Sequence, residues 1–158
     1  LILTACGGGE TDTPAPAENP VETPEVTEVS APTAPEASPS EAFANLREPY
    51  KSADFNRGKR TFKLCQSCHT LAEGGPNLVG PNLYGIFGYE IGAVEGIVYS
   101  KAVEESDIVW TPEILAEWLE SPRNFLPGNK MSFAGVRRPE DRTAVIAYIM
   151  AETGYGSE

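Results

Sequence analysis

Cys65-Gln66-Ser67-Cys68-His69 is the stretch that decides the fold of this chain. It places two thiols, three positions apart, directly before an imidazole, and it contains two of the three cysteines among the 158 residues. A zinc site needs four ligands. These residues supply at most three, and there is no second cysteine pair and no other histidine. A thioredoxin-like redox pair calls for a surrounding βαβ pattern, which the sequence lacks.

The same five residues match the pattern for covalent attachment of a haem. On a tight turn, the thiols of Cys65 and Cys68 can each form a thioether with one of the two haem vinyl groups. The adjacent His69 is then placed under the iron as its proximal ligand. We therefore predict one covalently bound haem c as the cofactor.

The second axial ligand of the iron cannot be another histidine, because His69 is the only one in the chain. Met150 lies in a helical pattern, where a methionine usually fills a core. Met131 lies in a loop punctuated by proline and glycine, and such a loop can lay a thioether across the distal face of the haem. The residues alone leave open whether Met131 does this or is an exposed loop methionine.

End signals predict three helices. Asp54 is a good N-cap for a helix over residues 55–64. Thr111 caps a second helix over 112–121, which begins with a proline and ends before the next one. A third helix is predicted over 139–152, with a proline at its start and a glycine after its end.

The tail that precedes this helical region has a different composition. The stretch from Gly7 to Ser40 has no aromatic residue, leucine, isoleucine or methionine, but it has seven of the fourteen prolines and seven of the 23 acidic residues. Such a segment cannot bury enough apolar surface to offset the entropy of ordering it. We predict a disordered Pro/Ala/Glu tether over 6–40 and a globular domain over 41–158.

The net charge of −11 argues against nucleic-acid binding, which needs a basic surface. The tether carries −7 of this charge. No run of about 18 apolar residues is present, so the sequence predicts no membrane-spanning helix.

The first residues, Leu1-Ile2-Leu3-Thr4-Ala5-Cys6, are typical of the end of a signal peptide. A small residue directly before a cysteine resembles the lipobox of bacterial lipoproteins. That resemblance implies that residues 1–5 are removed and that Cys6 is acylated, which anchors the chain on the periplasmic side of a bacterial membrane. The alternative is that Cys6 is a spare thiol in an ordinary signal peptide.

Further motifs follow the attachment pattern in a definite order. They are Gly80–Gly85, Val109–Thr111, Trp118–Pro122 and Pro127–Gly135. With them, the region from about Asp54 to Thr153 resembles the class I cytochromes c, in particular mitochondrial cytochrome c and its bacterial counterparts. The resemblance implies an all-α class I cytochrome c fold, in which helices and loops wrap one covalent haem. Gly58, inside the first helix, is then explained by close contact with the last helix.

The resemblance also implies roles for single residues. Met131 is expected to be the distal iron ligand, through its sulfur. The Pro81 carbonyl is expected to accept a hydrogen bond from the non-ligating nitrogen of His69. Tyr99 and Trp110 are expected to hydrogen-bond a buried haem propionate.

At the exposed haem edge, Phe133 is expected to cover the porphyrin. Basic residues near the attachment site and the methionine loop are expected to form a positive docking face. They are Lys63, Arg123, Lys130, Arg137 and Arg138. Three positions depart from the family: Tyr89 replaces an arginine, Val103 an asparagine and Trp118 a tyrosine.

The implied function is that of a membrane-tethered monohaem electron carrier between respiratory or photosynthetic complexes, and not an enzyme. A quinol–cytochrome c oxidoreductase is the expected donor, and a terminal oxidase or photosynthetic reaction centre the acceptor. Two alternatives remain open. One is a haem enzyme or gas sensor, peroxidase-like, with an open distal site. The other is a fixed cytochrome subunit of a larger complex.

Overall fold

The computed structural model describes residues 42–156, and their regular structure is helical. The helices are α1 (Phe55–Phe62), α2 (Lys101–Glu104), α3 (Pro112–Glu120), α4 (Pro122–Phe125) and α5 (Pro139–Glu152). No strand forms in this part of the chain, where an isolated antiparallel bridge joins Glu90 to Val109. The expected all-α fold is confirmed.

Side chains cap α1 and α3 at the predicted positions. The carboxylate of Asp54 accepts a hydrogen bond from the backbone N–H of Arg57 at 2.9 Å. The hydroxyl of Thr111 accepts one from the N–H of Ile114 at 3.2 Å. Each cap satisfies a donor that the first turn of a helix leaves unpaired.

Two features of the helices differ from the sequence prediction. Helix α1 ends at Phe62 and not near Leu64, because the next N–H groups bond to carbonyls three residues back: Leu64 to Thr61 at 3.0 Å and Cys65 to Phe62 at 2.8 Å. Helices α2 and α4 were not predicted. Each is a single turn, too short to give a periodic apolar pattern.

The contact between α1 and α5 depends on Gly58. A Cβ added there would lie 2.3 Å from the carbonyl oxygen of Ala144 and 2.8 Å from Cβ of Tyr148. Only a residue without a side chain allows the two helices to approach this closely, so the packing role predicted for Gly58 is confirmed. Met150, on α5, is 2% exposed and lies in the hydrophobic core.

A turn-rich segment before α1 also belongs to the core. Phe43, Leu46 and Tyr50 are buried, and the ring of Phe43 lies 5.5 Å from that of Phe55. This segment falls within the predicted domain over 41–158, although its contacts could not be predicted from the sequence.

The predictions for residues 1–5, for the tether over 6–40 and for Cys6 fall outside the described residues. Between residues 42 and 156, no helix combines the length and the apolar character needed to cross a membrane.

Candidate haem site

The attachment motif lies on a hydrogen-bonded turn that follows α1. The carbonyl of Cys65 accepts hydrogen bonds from the N–H groups of both Cys68 and His69, each at 2.9 Å. This turn brings the two cysteines and the imidazole together on one short stretch of backbone. Both thiols are free, so each is available for a thioether bond.

The thiol of Cys65 is unsuited to disulfide exchange. Burial raises its pKa to about 11, with a smaller contribution from the neighbouring Cys68. At neutral pH it is therefore protonated, whereas exchange requires a thiolate. Among residues 42–156, no group of three or more histidine, cysteine, aspartate or glutamate side chains could hold a metal ion. The protonated state of Cys65 therefore argues against a thioredoxin-like use of the motif.

The imidazole of His69 is fixed by the loop that passes beside it. Its Nδ1 lies 2.7 Å from the carbonyl oxygen of Pro81, to which it donates when the ring is neutral. Burial lowers the pKa of His69, and this favours the neutral form that a metal binds. Because Nδ1 is engaged, Nε2 is the nitrogen left for an iron ion.

Gly80 makes room for this ring. A Cβ at Gly80 would lie 2.4 Å from Cε1 of His69 and 2.9 Å from Nε2. The N–H of Gly80 also donates to the carbonyl of Cys68 at 2.9 Å, which holds the loop against the attachment turn. Two free thiols and a neutral imidazole with one fixed nitrogen fit a covalently attached haem.

Met131 lies in a loop that is bonded to its surroundings. The side chain is half-buried and packs against the hydrophobic core. Its N–H donates to Oδ1 of Asn129 at 2.9 Å. The adjacent Lys130 donates through Nζ to the carbonyls of Val98 at 3.2 Å and Tyr99 at 2.7 Å. The structure therefore brings the methionine loop and Tyr99 together.

Trp110 is held beside two other aromatic rings. Its ring lies 5.5 Å from that of Trp118, nearly perpendicular to it, and Trp118 lies 5.9 Å from Phe125 in a similar edge contact. The backbone N–H of Trp110 donates to the carbonyl of Tyr89 at 2.9 Å. The side chain of Tyr89 itself is 64% exposed.

The five basic residues predicted to form the docking face are all exposed, but they are not equivalent. Arg138 forms ion pairs with Glu140 at 2.5 Å and with Asp141 at 3.7 Å, and Lys130 is engaged with backbone carbonyls. The other three, Lys63, Arg123 and Arg137, form no ion pair with any residue in the range 42–156. Arg123 lines an open groove together with Phe133, so a cation and the predicted haem-edge aromatic are neighbours.

Asparagine side chains organise the site in a way that the sequence analysis missed. Nδ2 of Asn82 donates to the carbonyls of Ala72 at 2.8 Å and Gly75 at 2.9 Å, and its Oδ1 accepts from the N–H of Tyr84 at 2.8 Å. These bonds shape the loop that supplies Pro81. The occurrence of asparagine among glycines and prolines could have indicated these bonds, because its side chain readily forms hydrogen bonds with nearby backbone groups.

Replacing Gly80 by alanine should displace the imidazole of His69, because the added Cβ cannot fit beside it. We expect the haem-loaded variant to lose about 1–3 kcal/mol of stability and to show a shifted reduction potential. Urea unfolding and redox titration measure the two effects. Val79→Ala is the control, since Val79 is 83% exposed. A Gly80→Ala protein indistinguishable from this control would contradict the packing.

Comparison with known proteins agrees with this geometry. The sequence pattern of the cytochrome c family matches residues 55–152. Cytochrome c of Trypanosoma brucei brucei is 55% identical over 78 residues, which are 49% of this chain and 84% of that protein. Cytochrome c of Stellaria longipes is 41% identical over 105 residues, which are 66% of this chain and 97% of that protein. Cytochrome c2 of Blastochloris viridis is 40% identical over 110 residues, which are 70% of this chain and 87% of that protein. The chain therefore belongs to the class I cytochromes c, monohaem electron carriers with one covalently bound haem c.

Proposed function

We propose that this cytochrome is tethered to the periplasmic side of a bacterial membrane and carries single electrons between respiratory or photosynthetic complexes. The observation that carries the proposal is the attachment turn, with two free thiols beside an imidazole whose Nδ1 is fixed 2.7 Å from the Pro81 carbonyl. Such a site would hold an iron ligand in one orientation.

His69 and Met131 are the proposed axial ligands, and Cys65 and Cys68 the covalent attachment points. When bound, the haem supplies the one-electron chemistry of its iron. The hydrogen bond to Pro81 orients His69, and the thioether of Met131 favours Fe(II), which raises the potential. With both axial positions filled there is no vacant site for a substrate, so we propose no enzymatic role.

Tyr99 and Trp110 are proposed to bond a haem propionate. Burial raises the pKa of Tyr99, which keeps its hydroxyl protonated and able to donate. The indole N–H of Trp110 is a donor only, and this ring is fixed by its contact with Trp118. A buried propionate loses the water around its charge, and such donors compensate for that loss.

Docking is proposed to occur at the haem edge, beside Phe133. Arg123 lines the same groove as Phe133. Lys63 and Arg137 are also proposed for this face, because they are exposed and form no ion pair inside residues 42–156. Lys130 and Arg138 complete the proposed face, although each is already engaged within the domain. A small, electrostatically steered interface suits transient electron transfer.

The proposed partners follow from this face and from the family. A quinol–cytochrome c oxidoreductase is the proposed donor, and a terminal oxidase or a photosynthetic reaction centre the acceptor. Similarity to the Blastochloris viridis cytochrome c2 supports a periplasmic location. No nucleic-acid partner is proposed.

The tether is proposed from the composition of the N-terminal region. Residues 1–5 would end a signal peptide, Cys6 would carry the lipid, and residues 6–40 would link it to the cytochrome domain over 41–158. Such an acidic link would keep the domain at high effective concentration beside membrane partners.

Reversing one exposed charge tests the docking face. We expect Arg123→Glu to lower the bimolecular rate of electron transfer from a solubilised quinol–cytochrome c oxidoreductase by roughly tenfold at low salt. The difference should shrink as salt screens the charges. Lys51→Glu is the matched control, because Lys51 is an exposed residue of the segment before α1. Equal rates for both variants across the salt series would contradict the proposed face.

The intact mass of protein extracted from membranes tests the tether. We expect a chain that begins at an acylated Cys6 and carries the mass of one haem. Cys6→Ser should keep the haem but lose the acyl mass and membrane attachment, because no acyl chain then remains to hold the protein at the membrane. A membrane-bound protein with an unmodified Cys6 would rule out the lipid anchor.

A further inference from the structure

The side chain of Asn129 makes three hydrogen bonds, which link the methionine loop to α4. Its Nδ2 donates to the carbonyls of Pro122 and Leu126, each at 2.8 Å. Its Oδ1 accepts from the backbone N–H of Met131 at 2.9 Å. One half-buried side chain therefore joins three separate backbone groups.

The two carbonyls lie at the ends of α4. Pro122 is the buried first residue of this one-turn helix, and Leu126 is its C-terminal cap. The helix is held in place because Phe125 packs edge-on against the buried Trp118. Asn129 thus connects the backbone of Met131 to a helix that is itself fixed to the core.

The loop is also anchored beyond Met131. The N–H of Phe133 donates to the carbonyl of Met131 at 3.1 Å, and the N–H of Val136 donates to the carbonyl of Leu119 at 2.7 Å. The downstream anchor lies five residues away, whereas Asn129 bonds Met131 directly. Loss of the Asn129 side chain would leave the Met131 N–H without its acceptor, and it would leave each of the two helix-end carbonyls with only its backbone donor.

We propose that Asn129 is a positioning residue that holds Met131 at the haem iron. The inference rests on the proposed role of Met131 as distal ligand and goes beyond it. The hydrogen bonds of Asn129 lower the free energy of the arrangement with the methionine in place. Without them, the population with the sulfur displaced should rise.

The binding of added imidazole to the oxidised, haem-loaded protein measures this population. Imidazole can bind the iron only when Met131 has left it, so the apparent dissociation constant falls as the open fraction rises. Each lost hydrogen bond is worth roughly a two- to tenfold change in such an equilibrium. For Asn129→Ala we expect imidazole to bind roughly tenfold or more tightly than to the unmodified protein.

Three further variants make the measurement decisive. Asn129→Ser keeps a hydroxyl that can accept from an N–H two residues on, and it should recover part of the shift. Asn124→Ala changes an exposed neighbour on α4 and should leave imidazole binding unchanged. Asp54→Ala removes the cap of α1 and should lower the melting temperature without changing imidazole affinity.

The outcomes separate this inference from the proposed ligation. Met131→Ala should bind imidazole most tightly and should lack the long-wavelength absorbance band of methionine-ligated ferric haem. If Met131→Ala matches the unmodified protein, Met131 is not the ligand and the proposed function fails at that point. If Met131→Ala shows the shift but Asn129→Ala does not, or if Asp54→Ala shifts as much, the positioning role of Asn129 is overturned.

Discussion

The hydrogen bond between Nδ1 of His69 and the carbonyl of Pro81 is the constraint on which the rest of the site depends. It ties the attachment turn after α1 to a loop twelve residues further along the chain. The backbone bond from Gly80 to Cys68 reinforces the same junction. Together they set the direction of the one nitrogen that can bind an iron ion, independently of any ligand on the opposite face.

The long connection between α1 and α2 shows why this junction matters. Apart from the isolated bridge at Glu90, residues 70–99 contain no helix or strand. Asparagine side chains pair its carbonyls, as Asn82 does with Ala72 and Gly75. A loop of this length is uncommon in a compact domain unless it serves a function. A covalent porphyrin gives it one, because the loop then encloses the cofactor.

The two faces of the proposed haem site are built in different ways. On the proximal side, Cys65, Cys68 and His69 lie within five consecutive residues, so one turn positions them all. On the distal side, Met131 is more than sixty positions away in the chain, and its place depends on a one-turn helix and the hydrogen bonds of Asn129. The proximal residues are therefore brought together by one turn of the backbone, whereas the proposed distal ligand is placed by tertiary contacts.

This difference explains how much could be predicted from the sequence. The attachment motif, the caps at Asp54 and Thr111 and the packing role of Gly58 each depend on residue types with strong local preferences, and each could be predicted. The short helices α2 and α4 and the contacts of residues 42–54 could not, because no periodic pattern marks them. The same holds for Asn129, whose partners are two carbonyls and an N–H of the backbone and so leave no pattern of residue types in the sequence.

The predicted positive docking face shows a related limit. Counting charges near the attachment site treats all cations alike, yet Arg138 is paired with Glu140 and Lys130 is engaged with loop carbonyls. These ion pairs and hydrogen bonds depend on which residues are neighbours in the fold. They leave Arg123, which lines the same groove as Phe133, without an ion pair among residues 42–156.

The central claim is that one iron is held by His69 on one side and Met131 on the other. Proton NMR of the reduced, haem-loaded protein tests it most directly, because a methionine methyl group held over the porphyrin is shifted far upfield by the ring current. We expect one such methyl signal, lost in Met131→Leu and retained in Met150→Leu. A spectrum without this signal, or one in which it survives Met131→Leu, would contradict the account.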